Sequence, residues 1–395
     1  MSASVGERLR EARKSKGMTQ EDVARHLGVA RTTVVAIERG DREPRPEELV
    51  ALASLYGRPV NELLRESEPV QDFVAQFRIN RNANDDEHSL RESIVQLEEL
   101  VDDYAELERL TGLRSVPATH PMYPIDSVSL ERSAESAAGS ERSRLGLGEG
   151  PVLQLREVLE NLVGLRVFAL DLPGGVAAVF GRTSGEGGCI AFNANHPWER
   201  QRWSVAHEYA HFLTSRSRAE ITSLARYVRV PDHERFADSF ARHFLMPSTG
   251  VSRYFVDLKA TRPDGVVVSD LLQMARYYEV SVQALILRLE DLRLIRAGTW
   301  ERLHFQGFKV EEARRILDWA VRQPDTQLLP TRYIYLVSEA YERELISEGQ
   351  LAHFLRTDRV HARAVVDQAG RLTTLNESGS QSEGRLSLTA DGSLR

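Results

Sequence analysis

The chain has 395 residues, 42% of them hydrophobic and 28% charged, which is material for roughly two to four domains. Its 58 acidic residues outweigh 51 basic ones, and the net charge of −7 argues against a protein that coats nucleic acid generically. No apolar run approaches membrane-span length, no charged-then-apolar leader opens the chain, and the single cysteine, Cys189, excludes an internal disulfide, so a reducing cytoplasm and no membrane partner are expected.

Residues 1–66 read as a complete small helical domain. Val5, Leu9 and Ala12 give a first helical face, Thr19 starts a helix that Gly28 can end in a left-handed conformation, and Ala30 to Arg39 forms another that Gly40 ends. Ala24, Gly28 and Ile37 fall where two helices cross at a sharp turn, the helix-turn-helix pattern. The stretch GMTQEDVARHLGVARTTVVAIERGDREPRPEEL resembles the Xre-like, Cro and phage-repressor family. That resemblance implies an all-α lambda-repressor-like head. It would bring Arg31, Thr32 and Thr33 to base edges in the major groove and Gln20, Arg39 and Arg42 near phosphates. From Met1 to Arg45 there are ten Lys or Arg and seven Asp or Glu, so the electrostatic drive is modest and one copy should bind DNA weakly.

Residues 67–113 change character. Eleven acids face four arginines between 72 and 112, and Leu90, Ile94, Leu97, Val101, Tyr104 and Leu107 recur at steps of three or four. This predicts an acidic amphipathic helix, a solvated face with an apolar stripe, and the stripe could pair two chains into the homodimer that a two-half-site operator requires. Residues 114–150, with three prolines and then a Ser/Ala/Gly/Glu run without period, read as a linker.

From residue 151 a different body begins, expected to extend to 299. Short apolar runs at Arg166–Leu170, Val176–Phe180 and Cys189–Phe192, separated by glycine-rich turns, predict a small antiparallel sheet. In GGCIAF the cysteine reads as a core residue rather than a nucleophile. The stretch SVAHEYAHFL then places His207 and His211 one turn apart on one helix face, where two imidazoles can hold one zinc ion with Glu208 beside them as a base. A second helix, HERFADSFARHFLMP, repeats Phe236, Phe240 and Phe244 every four residues and sets Glu234 and Asp238 together on a polar face. Glu234 would complete three protein ligands, and Asp238 would accept the second N–H of a ligand histidine and fix its tautomer.

An HExxH helix followed by E-x-x-A-D-x-F-A and L-M-P resembles the ImmA/IrrE family of bacterial metallo-endopeptidases, over Pro151 to Ile295. The resemblance implies a zincin-like core and a helix-turn-helix repressor or antitoxin as protein substrate, in a mobile-element or stress response. In zinc peptidases an edge strand before the HExxH helix pairs with the extended substrate, and Cys189 to Asn193 is the expected edge. Glu208 would take a proton from the attacking water and return it to the leaving amine. A donor to the oxyanion is also required; Tyr227, His233 and His243 are available, with His243 half a turn off the ligand face.

Residues 300–372 are expected to form a helical C-terminal domain broken at Pro324 and Pro330, and 373–395 a disordered tail. The expected fold is mainly α with a small antiparallel sheet. The expected protein is a DNA-binding transcriptional regulator fused to a zinc endopeptidase. Two other readings fit the same residues: a transcription factor whose peptidase-like body only senses a ligand, and an antitoxin that sequesters a toxin without catalysis.

Overall fold

The computed structural model describes residues 5–56, 60, 63, 84–113, 120–182, 187–214, 220–223, 230–263, 265–310, 312–313 and 322–373. The chain divides into two compact units, one drawn from Met1–Asp72 and the other from Phe73 onward.

In the first unit α1 (Val5–Ser15), α2 (Gln20–Leu27), α3 (Arg31–Arg39) and α4 (Pro46–Tyr56) close around Leu9, Val23, Val34, Ile37, Leu52 and Tyr56. Thr19 caps α2 reciprocally: its hydroxyl accepts the N–H of Asp22 at 3.2 Å, and the Asp22 carboxylate accepts the N–H of Thr19 at 3.0 Å. Gly28 and Gly40 end α2 and α3 at φ of 66° and 77°. Gly6 answers a different need: a Cβ there would lie 2.2 Å from the carbonyl oxygen of Ile37, so only glycine lets the two backbones approach this closely. Beneath them Arg13 and Glu38, both buried, share hydrogen bonds of 2.6 and 3.0 Å. Burial pushes the Glu38 carboxyl up, but bonds from Arg13 and Gln20 outweigh it and hold the group below the usual carboxylate range.

The second unit contains a four-stranded sheet, β1 (Arg166–Leu170), β2 (Val176–Arg182), β3 (Gly188–Asn193) and β4 (Glu220–Ser223), in the order β1-β3-β2-β4. β2 pairs antiparallel with β3 and β4, whereas β1 and β3 run parallel, with Val167 opposite Ile190. The sheet is therefore mixed rather than purely antiparallel, because β3 returns into the gap between β1 and β2. The expected edge at Cys189 to Asn193 is an interior strand, paired on both sides and buried throughout. Its unbroken apolar run, without alternation, is what a strand covered on both faces needs. On β1 the N–H of Val167 donates to Glu160 at 3.3 Å and its carbonyl accepts Nε of Arg156 at 2.9 Å. Side chains thus occupy that margin, and among the described residues β4 is the other edge.

Around the sheet lie α6 (Leu130–Arg144), α7 (Leu155–Val158, continuing into a π-helical turn at Leu159–Val163), α8 (Trp198–Thr214), α9 (Asp232–Leu245), α10 (Ser248–Ala260), α11 (Val268–Tyr278) and α12 (Val282–Asp291). They share one core with it. The linker expected at 114–150 is corrected here: α6 is a regular helix packed on α9, with Ala134, Ala137 and Ala138 fully buried. Alanine is the strongest helix former but offers too little apolar surface to mark a buried face, and small side chains let two helices approach closely, so the composition of a close contact passed for that of a spacer.

Within 67–113 the described helix is α5 (Asn84–Thr111), and its stripe is covered by the same chain. Leu90, Ile94, Leu97, Val101, Tyr104 and Leu107 are buried, and Tyr104 meets Phe168 of β1 at 6.3 Å and Tyr333 at 5.4 Å, edge to face. The stripe is thus buried within the single chain. The acidic face has its partners here too: Glu108 accepts Arg166 at 2.9 Å and Asp103 accepts Arg356 at 2.8 Å. The C-terminal region is two parts rather than one domain. α13 (Thr299–Phe305) contributes Trp300 and Leu303 to the main core, while α14 (Thr331–Glu342), α15 (Glu348–Phe354) and α16 (Arg359–Thr373) form a cluster in which α14 packs on α5. The expected tail, apart from residue 373, lies outside the described residues.

Candidate functional site

α8 and α9 meet through aromatic rings. Phe236, Phe240 and Phe244 stack in succession along α9, centroids 6.5 and 5.4 Å apart, and Tyr209 of α8 sets its ring edge-on to Phe240 and Phe244 at 5.8 and 5.6 Å. With the apolar faces locked, the polar faces of the two helices converge. His207, His211 and Glu234 bring their ligand atoms within 4.8 Å of one another. The two Nε2 atoms are 3.1 Å apart, and Glu234 carboxylate oxygens lie 3.3 Å from Nε2 of His207 and 3.7 Å from Nε2 of His211.

These separations suit a metal. Nitrogen ligands at 2.0–2.1 Å from a tetrahedral zinc stand roughly 3.3 Å from each other. Asp238 Oδ1 lies 3.0 Å from Nδ1 of His207, where it accepts that N–H and leaves Nε2 as the donor atom. Burial pushes the His207 imidazole down, but the bonds to Asp238 and Glu234 outweigh it and raise the group to about 10. The pocket is thus built to hold positive charge, whether a proton or a metal ion. Burial likewise pushes the Asp238 carboxyl up, and hydrogen bonds from His207 and Trp203 bring it below its ordinary value. Trp203 is a partner that the sequence reading missed; its spacing of four from His207 on one helix was the available signal. Glu208 is fully buried on α8 between the two histidines.

The three candidate donors separate. Tyr227 is outside the described residues. His243 is engaged away from the cluster, its Nε2 3.0 Å from Glu131 and its Nδ1 2.9 Å from the Arg288 guanidinium. His233, the second residue of α9, is 39% exposed in its side chain, with Nε2 3.7 Å from Glu234 and its ring 6.0 Å from that of His211.

In the helix-turn-helix unit Arg31, Thr32 and Arg39 are exposed, and Gln20, Thr33 and Arg42 half-buried. Gln20 donates to Glu38 at 2.8 Å and accepts from Arg31 at 3.5 Å, so it links the start of α3 to the buried ion pair. Arg42 is held by Glu48 at 2.9 Å, which reduces the charge it can offer a phosphate.

Residues 9–63 match the helix-turn-helix family, and residues 161–290 match the M78 peptidase family described as an IrrE N-terminal-like domain. The cryptic phage CTXphi transcriptional repressor RstR of Vibrio cholerae is 31% identical over 94 residues, which are 24% of this chain and 85% of that protein. The HTH-type transcriptional regulator ImmR of Bacillus subtilis (strain 168) is 35% identical over 65 residues, 16% of this chain and 51% of that one. A solved structure of Bacillus thuringiensis PlcR with the peptide PapR7 and DNA aligns over 93% of each chain at 12% identity, with a TM-score of 0.16 that is too low to support an argument. No described helix is long and apolar enough to cross a membrane.

Proposed function

Because the chain belongs to the Xre-type helix-turn-helix regulators and carries an M78, ImmA/IrrE-like peptidase domain, we propose that it binds operator DNA through its head and hydrolyses a peptide bond in a protein partner at the His207–His211–Glu234 centre. The observation that carries the reading is the convergence of those three ligand atoms from two helices beside Glu208. His207, His211 and Glu234 would hold one zinc ion. When bound, zinc polarises the peptide carbonyl and lowers the pKa of water at the site to about 7. Glu208 takes the proton of the attacking water and returns it to the leaving nitrogen. Asp238 and Trp203 hold the His207 ring in register, and the stacked phenylalanines hold Glu234 against it.

The substrate class that the family resemblance favours is a helix-turn-helix repressor or antitoxin in the cytoplasm, cut in a stress or mobile-element response. Metal analysis with a cleavage assay tests the reading. Wild-type chain should carry about one zinc. His207→Ala should lose it, whereas Glu208→Gln should keep the metal and lose hydrolysis. A zinc-loaded wild type that cleaves none of its genomically neighbouring repressors or antitoxins would leave the site a metal sensor.

A further inference from the structure

We infer that His233 is a further catalytic residue, the hydrogen-bond donor to the oxyanion formed at this centre; the inference rests on the peptidase reading above. Three observations lead there. His233 stands beside the third ligand, Nε2 3.7 Å from Glu234 Oε1, with its ring 6.0 Å from that of His211. Its side chain is 39% exposed while those of His207, His211 and Glu234 are 5%, 1% and 14% exposed, so it lies on the open side of the cluster, from which a peptide must enter. His243, the other described histidine on α9, is committed to Glu131 and Arg288.

The placement follows from α9 itself. Pro231 sets the first turn, and the aromatic stack along Phe236, Phe240 and Phe244 fixes which face looks at α8. Residue 233 is then carried to the rim beside the ligand carboxylate without taking a ligand position.

In the reaction, the water oxygen bonds to the carbonyl carbon and its proton passes to Glu208. The carbonyl π pair moves onto oxygen, and the His233 ring N–H donates to that oxygen. When the pair returns, the C–N bond breaks, its electrons leave on nitrogen, and nitrogen takes the proton from Glu208. The products are one acid and one amine. An N–H aimed where charge develops acts on the transition state more than on the bound peptide, and loss of one such donor costs about 10²- to 10³-fold in rate.

The experiment uses the full zinc-loaded chain as wild type, His233→Ala and His233→Gln. Zinc content is measured, and binding of two probes is titrated: acetohydroxamate, which needs only the metal, and a phosphonamidate peptide, whose tetrahedral phosphoryl oxygen stands where the oxyanion would. His233→Ala is expected to keep one zinc and wild-type acetohydroxamate affinity while phosphonamidate binding weakens by about 10²-fold. His233→Gln, with an amide N–H, is expected to recover part of that loss. Unchanged phosphonamidate affinity in His233→Ala overturns the inference. Loss of zinc from that variant also overturns it, by making His233 a ligand. A zinc-loaded wild type that binds acetohydroxamate but not the phosphonamidate refutes the peptidase reading itself, a result distinct from either.

Discussion

Glu160 sits on the π-helical turn with 2% of its surface exposed, its carboxylate receiving the N–H of Val167. Burial pushes its carboxyl up to about 8, against the opposing pull of the Arg156 guanidinium. In the unfolded chain a glutamate gives up its proton near pH 4.3. Between those values only the native state holds the proton, so the stability that Glu160 contributes should fall as pH rises from about 4.5 to 8, by on the order of 4 kcal/mol. Glu160→Gln keeps an acceptor for Val167 and removes the titration. Its denaturation midpoint should match wild type near pH 5 and exceed it at pH 8. A difference between Glu160→Gln and wild type that stays constant from pH 5 to 8 would show that Glu160 ionises normally.

α6 shows how an element can be hidden by its composition. Ala137 and Ala138 are buried where α6 packs on α9, and Arg142 donates to the carbonyl of Phe244 at the C-terminal end of α9. The helix therefore braces the element that carries Glu234 and Asp238, although it lies outside residues 161–290. Ala138→Leu forces a larger side chain into filled space and should cost about 1–3 kcal/mol. Zinc affinity should fall with it, since α9 must shift to make room. Thermal melting together with zinc titration checks both, and a variant as stable as wild type with undiminished zinc affinity would mean that α6 does not set the position of α9.

At the scale of the molecule, the cut between head and body falls before α5, not after it. Arg332 and Arg343 donate to the carbonyls of Leu113 and Thr111, and α14 packs on the α5 stripe. Removing residues 1–72 should abolish DNA binding and leave solution cleavage of a protein substrate within about twofold, because each unit keeps its own core. Removing residues 1–113 should expose the face of α14 that α5 covers and give an aggregating or molten protein. DNA mobility shift, cleavage and circular dichroism on both truncations test this. Loss of cleavage on removal of 1–72 alone would place the head within the catalytic assembly.

The sequence by itself determined the local chemistry. Histidine spacing on α8, the phenylalanine period of α9 and the caps of α2 and α3 are properties of one helix at a time, readable at steps of three and four from His207 to His211 or from Phe236 to Phe240. Pairing across space was decided only by the tertiary structure. Whether β3 lies at an edge depends on which strands arrive beside it, and whether the α5 stripe meets another chain depends on residues more than two hundred positions away, Tyr333 among them. Periodicity states that a face must be covered; it carries no information on what covers it, because the hydrophobic effect is proportional to area and indifferent to partner.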